Sequence, residues 1–218
     1  MSHKQKKVFT YILIPVVFAA IAAALWMMAG RSFAKSVYAT VWMVAEKGQP
    51  GYSDSYTGED SADLPQKGEI KKSEITLPGQ NQHCGKLLCD EADLKAPLYY
   101  GDTQKVLDQG AGIYTGSSLF GEGRTILISA HDSTYFAPLE KMKKGMKITV
   151  LAAYGKYVYQ VTGTKVVKSS NTKACRLDGT QEQLVLYTCY PFGKNNNRDQ
   201  RYFVYAKKVS GPVVKEDS

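Results

Sequence analysis

Between residues 97 and 209 the chain is cut into short apolar runs, and this constrains its fold more than any other feature. Thr125-Ile126-Leu127-Ile128-Ser129-Ala130 is one such run, and Leu184-Val185-Leu186-Tyr187-Thr188-Cys189 and Tyr202-Phe203-Val204-Tyr205-Ala206 are two more. Residues 148–153, 157–161 and 164–167 add three β-branched or aromatic runs separated by turn residues. An amphipathic helix needs roughly 10–12 residues of sustained periodicity, whereas about 4–8 residues suffice for a strand. Pro97-Leu98-Tyr99-Tyr100 closes on Gly101, and Gly110 and Gly112 have the close spacing found at bulges and tight bends. Residues 138–143 have room for a single helical turn. There is no repeat and no heptad. Many short strands with few helices predict a mainly β fold, a closed antiparallel or mixed barrel.

The N-terminal part has a different character. Residues 8–30 carry no charge and are rich in Ile, Val, Ala, Leu, Phe and Trp. About 20 apolar residues cross a bilayer core as helix, and an ordinary signal-peptide core holds only about 7–15. The stretch therefore reads as an uncleaved transmembrane signal anchor. Lys4, Lys6 and Lys7 precede it and Arg31 and Lys35 follow, a bias that places the N-terminus inside the cell and the bulk of the chain outside. Residues 31–44 can continue as helix, after which the chain turns polar, with Gly, Ser, Asp, Lys and Pro prominent up to about residue 96. The expected organisation is a cytoplasmic tip and anchor over 1–30, an extracellular linker or N-terminal region over 31–96, a β-barrel over 97–210 and a tail over 211–218.

The net charge of +8 suits work beside an anionic surface such as lipid headgroups or an acidic cell wall, although a solvated basic surface gives the same number. The Lys and Arg residues are dispersed, with no helix-turn-helix, zinc-finger or RNP pattern, so no nucleic-acid partner is expected. Outside the cell disulfides are permitted. If Cys189 stays free, at most one pair can form among Cys84, Cys89 and Cys175, and the Cys84–Cys89 segment is read as tying down the end of the linker. His83, Cys84 and Cys89 lack the C-x2-C spacing of a zinc knuckle and no second pair follows. Glu122, Asp132 and Glu140 are too scattered to define a calcium site. No metal and no obligatory cofactor is expected.

Three residues in this β region form a set suited to acyl transfer. Cys189 ends one run, Arg201 opens the next, and His131 directly follows the run ending at Ala130. A thiolate attacks a carbonyl, an imidazole moves protons and a fixed cation stabilises negative charge. Each residue also has a plain structural use, as surface histidine, buried thiol or solvated arginine, and only a fold can join residues so distant in sequence. Asp132 follows His131, but adjacent side chains on an extended chain diverge.

The run Leu186-Tyr187-Thr188-Cys189, followed by Arg201 and a strand, resembles the T-L-x-T-C … R signature of sortases, the membrane-anchored cysteine transpeptidases of Gram-positive bacteria. Residues 110–118 are similar to the family's G-V-G-H-x-x-x-T-S stretch. The run ending Ala130-His131 resembles its apolar strand ending in G-H, with Ala130 in place of glycine. Phe136, Leu139 and Gly145 fit the spacing that follows. The resemblance spans residues 97–209. It implies a closed sortase-like barrel of about eight strands with short helices, preceded by the membrane helix. It also implies thioester chemistry by Cys189 at the Thr–Gly bond of an LPxTG-like sorting signal, with transfer to an amine on a peptidoglycan precursor or a pilin lysine. His131 is expected to move the protons, Arg201 to hold substrate or oxyanion, and Thr188 to help bind the motif. Arg198 is a second arginine nearby, and Arg201 is preferred because it directly precedes the strand. The Asp-Pro-aromatic lid of many pilin-polymerising members is absent, which leaves a housekeeping, class D-like or lid-free pilin (class C) enzyme. Leu64-Pro65-Gln66-Lys67-Gly68 resembles a sorting motif with Lys in place of Thr and raises the idea of a self-blocking lid. Two other readings use the same residues: a surface cysteine peptidase with water as acceptor, and a non-catalytic, membrane-tethered β-barrel binding module with Cys189 in a disulfide.

Overall fold

The structure, a computed structural model, describes residues 64–193 and 198–217. The uncharged stretch over 8–30 lies outside them. Among the described residues no helix is long and apolar enough to cross a membrane.

Ten strands form in chain order: β1 (Glu69–Lys71), β2 (His83–Cys89), β3 (Leu94–Tyr100), β4 (Ala111–Ile113), β5 (Thr125–Ser129), β6 (Lys147–Ala152), β7 (Gly155–Lys168), β8 (Gln183–Tyr190), β9 (Gln200–Ser210) and β10 (Val213–Lys215). One helical turn, α1 (Gln104–Leu107), precedes β4, and a 3₁₀ turn spans Ala137–Lys141. Eight strands close into a barrel in the order β2-β3-β4-β5-β8-β9-β7-β6. The barrel is mixed. The β3–β4 and β5–β8 pairs run parallel and the other six pairs antiparallel.

The period-two pattern of β8 builds two layers. Leu184 and Leu186 face the barrel interior with Ile126, Ile128, Val204 and Ala206. Val185 and Tyr187 face outward, under a second apolar cluster with Leu127, Val167, Ala174, Phe203 and Tyr205. Each fully buried aliphatic side chain contributes roughly 1.5–3 kcal/mol, so both faces of β8 are held firmly. Gly112 permits the tight β3–β4 crossing, since a Cβ there would stand 2.3 Å from Gly101 O.

Three sequence expectations change in detail. The barrel begins at His83, well before residue 97, because β2 alternates buried and half-buried residues over His83–Cys89 although Gly, Lys and Cys dilute its apolar signal. The runs over 157–161 and 164–167 are one strand, β7, whose register against β9 shifts at Val161/Gly163. The tail is structured as well, since β10 pairs in parallel with β1.

Candidate active site

The β5–β8 ladder runs in constant register from Thr125↔Gln183 to Ser129↔Tyr187. Continued by two residues, it brings His131 alongside Cys189. The Thr188 hydroxyl donates to Ala130 O at 2.7 Å and carries the pairing one step beyond the last ladder residue. On the other side of β8, Cys189 faces Arg201 directly in the antiparallel β8–β9 register. The fold thus gathers the three sequence-selected residues at one end of the barrel, around the half-buried Cys189.

The two arginines are used differently. Arg201 Nη1 donates to Arg198 O and Gln200 O at 2.8 Å each, which fixes the fork. Arg198 donates to Asp132 Oδ1 and lies within electrostatic reach of the Cys189 side chain. Asp132 is wholly buried, and its second oxygen accepts the Gly193 N–H at 3.0 Å. His131 packs toward α1, with its Nε2 3.1 Å from Gln104 Nε2 and 3.4 Å from Asp108 Oδ1. A protonated Nε2 donates to Asp108, and a bare one accepts from Gln104. Gln104 also donates to Asp108 at 2.9 Å, so the three groups form one cluster.

This geometry accompanies a clear kinship. The Sortase domain family matches residues 87–209, more than half of the chain. The sortase D of Bacillus subtilis (strain 168) is 32% identical over 142 residues, covering 65% of this chain and 72% of the relative. The chain belongs to the sortase family. Among solved structures, the SrtA sortase from Actinomyces oris superposes with a TM-score of 0.56 at 26% identity, covering 63% of this chain and 85% of that one. The pilus-related sortase C of Group B Streptococcus gives a TM-score of 0.54 at 27% identity, covering 63% and 76%. Sortases are cysteine transpeptidases that act on sorting signals.

The geometry bears on several expectations about this sortase. Thr188 is 2% exposed and its hydroxyl is committed to Ala130 O, so it ties β8 to β5 on the interior face, opposite Cys189. The Leu64–Gly68 segment lies at the far end of the barrel and does not cover the site. Pro65 O accepts the N–H of Lys156 near the start of β7, and Gly68 O accepts that of Val213. Cys84 and Cys89 fall near the two ends of β2, roughly 16 Å apart at strand rise, far beyond the about 7 Å Cα limit for a disulfide. They do not pair with each other, and all four cysteines are free thiols.

The other three thiols are poor nucleophiles. Burial pushes Cys84, whose sulfur is sunk beside Leu98 O although part of the residue stays accessible, up to about 12. Burial also raises Cys89 and Cys175. Among the described residues no cluster of His, Cys, Asp and Glu is placed to hold a metal.

Sequence reasoning missed the Arg198–Asp132 pair and the Gln104–Asp108 support of His131. Asp132 does not orient the histidine beside it in sequence. Its partners come from the β8–β9 connection, which no local pattern could have indicated.

Proposed function

We propose that this sortase cleaves an LPxTG-like sorting signal between Thr and Gly and passes the acyl group to a primary amine. The observation that carries the reading is Cys189 standing opposite Arg201, with His131 at the end of the adjacent parallel strand. The Cys189 thiolate attacks the Thr carbonyl. The S–C bond forms, the C–N bond to Gly breaks, and His131 gives its proton to the leaving amine. The incoming amine then attacks the thioester and gives a proton back to His131 as the thiolate leaves. Arg201, permanently charged and planar, holds the substrate backbone or the oxyanion.

The similarity to the sortase D of Bacillus subtilis favours a class D-type enzyme. The amine is that of a peptidoglycan precursor or of a pilin lysine. The uncharged stretch over 8–30 makes the chain a single-pass membrane protein with its N-terminus inside and its barrel outside the cell.

The test is mass spectrometry of the full chain in detergent with LPxTG-type peptides and amines of both kinds, beside Cys189→Ala. A thioester adduct and an amine-ligated product, both lost in Cys189→Ala, are expected. Hydrolysis alone, with every amine supplied, would reduce the protein to a peptidase.

A further inference from the structure

Asp132 is a carboxylate with no exposed side-chain surface, immediately beyond His131 and yet committed to a different part of the site. Both oxygens are engaged on the β8–β9 connection, Oδ2 by Gly193 N–H and Oδ1 by the Arg198 guanidinium. A buried carboxylate left alone is strongly unfavourable, so these contacts are held for as long as the barrel is folded. Arg198 keeps 31% of its side chain exposed, and its charge is felt at the Cys189 side chain, which faces Arg201 in the ladder. Its carbonyl also receives Arg201 Nη1 at 2.8 Å. A single buried charge therefore anchors the loop that carries one arginine to the thiol and shapes the seat of the other.

We propose that Asp132 is a positioning residue for the nucleophile, locking Arg198 against Cys189 so that the sulfur is met by a loop arginine as well as by Arg201 opposite it in the ladder. Arg198 stabilises the sulfur when it carries charge, before attack and on leaving, and Arg201 is left to the substrate and the oxyanion. The inference rests on the reading of Cys189 as nucleophile, but its effect on the thiol is measurable without any peptide.

Charge alone and positioning predict opposite signs for Asp132. Among the described residues, the charged groups around the sulfur are Arg201 on β9, Arg198 in the β8–β9 connection, His131 and Asp132 beyond β5, and Asp108 at the end of α1, behind His131. If Asp132 acted only by its negative field, neutralising it would leave Arg198 uncompensated and make Cys189 react faster. If it holds Arg198 in place, neutralising it slows Cys189.

The experiment is iodoacetamide alkylation of the full chain in detergent across pH, with modification located by mass spectrometry and Cys175 as internal reference. Arg198→Ala is expected to slow alkylation of Cys189 about tenfold near neutral pH and move its profile to higher pH, the loss of one nearby cation that favours the thiolate. Arg198→Lys recovers part of the rate. Asp132→Asn slows it in the same direction, and the double variant Asp132→Asn/Arg198→Ala is no slower than Arg198→Ala, because one residue acts through the other. An unchanged rate in Arg198→Ala, a faster rate in Asp132→Asn, or additive losses in the double variant would each overturn the proposal. Should Asp132→Asn not fold, the contrast of Arg198→Ala with Arg198→Lys decides. Thioester formation that survives Cys189→Ala would instead overturn the functional reading and leave the alkylation result standing by itself.

Discussion

The two ends of the barrel each contain a buried carboxylate paired with a cation, and they complete that pair differently. At the end where β5 and β8 finish, Asp132 takes Gly193 N–H and Arg198, and the arginine stays partly exposed beside a thiol and a histidine. At the opposite end, Glu182 is 8% exposed and takes the Tyr159 hydroxyl at 2.7 Å, Lys208 Nζ at 3.0 Å, Gly121 N–H and Gly123 N–H. Lys208 is closed off in turn by Pro212 O at 2.9 Å. There every donor points inward, and β1 with β10 lies close by. Where the cation is turned onto structural oxygens and no reactive atom, the pair is structural. Where it keeps a face toward a reactive atom, the pair can serve chemistry.

The sharpest way to break this comparison is to substitute one residue at each end and read both activity and stability. His131→Ala should lower the rate of thioester formation by about 10²–10⁴, the usual contribution of a positioned acid–base group. Arg201→Ala should lower it by about 10²–10³, as for loss of an oxyanion donor. Neither should lower the Tm appreciably, since His131 is 31% exposed and Arg201 lies at the start of β9. Glu182→Ala should do the reverse. It leaves the half-buried Lys208 without its carboxylate and three donors without their acceptor, and should cost about 1–3 kcal/mol by denaturant unfolding. Alkylation of Cys189 in the folded fraction should stay at the wild-type rate. A stable Glu182→Ala protein with a slow thiol would join the two ends into one functional unit.

The asymmetry between the ends also explains what the sequence could reveal. Strands that bury both faces announce themselves. Leu184, Val185 and Leu186 are all wholly buried, and the run is plain in the sequence. Cys189, Arg201 and His131 were legible because each sits at the terminus of such a strand and resembles the family's signature. β2 was obscured because its half-buried positions hold Cys84, Lys86 and Leu88 and mix with a polar approach. Proximity to the nucleophile in sequence says nothing of face, and the strand period turns Thr188 and Cys189 to opposite sides. Asp132 and Glu182 could not be read at all. Their partners lie about 60 positions away, as with Asp132 and Gly193 or Glu182 and Gly121, and only the closed barrel brings them together.

Acid should act first through a buried histidine. His83, 6% exposed at the start of β2 and edge-on to Tyr99, has its pKa lowered to about 4, first by burial and then by Lys86, against a backbone hydrogen bond with Gly85. As the pH falls, the unfolded chain takes up this proton at about 6.5, before the folded one does. The contribution of His83 is therefore complete above about 6.5 and is lost progressively toward about 4, by at most about 3 kcal/mol. Urea unfolding at a series of pH values should show this slope, and His83→Gln should flatten it. An unchanged slope in the variant would move the acid sensitivity to other groups.

The smallest effect expected is also the strictest check on what closes that end. Lys215 and Glu69 pair across β1 and β10 at 3.5 Å with 57% and 69% of their side chains exposed. Solvent screens such a pair, and Lys215→Ala should change stability by only about 0–1 kcal/mol. The register of the two strands rests instead on backbone contacts, with Val213 N–H donating to Gly68 O at 2.8 Å and Val214 N–H to Gly121 O at 2.9 Å. Removing residues 213–218 should therefore lower the Tm clearly more than Lys215→Ala does. Equal losses in the two variants would mean that surface charge holds the strands together, and the contrast between a sealed end and a reactive one would then rest on Glu182 alone.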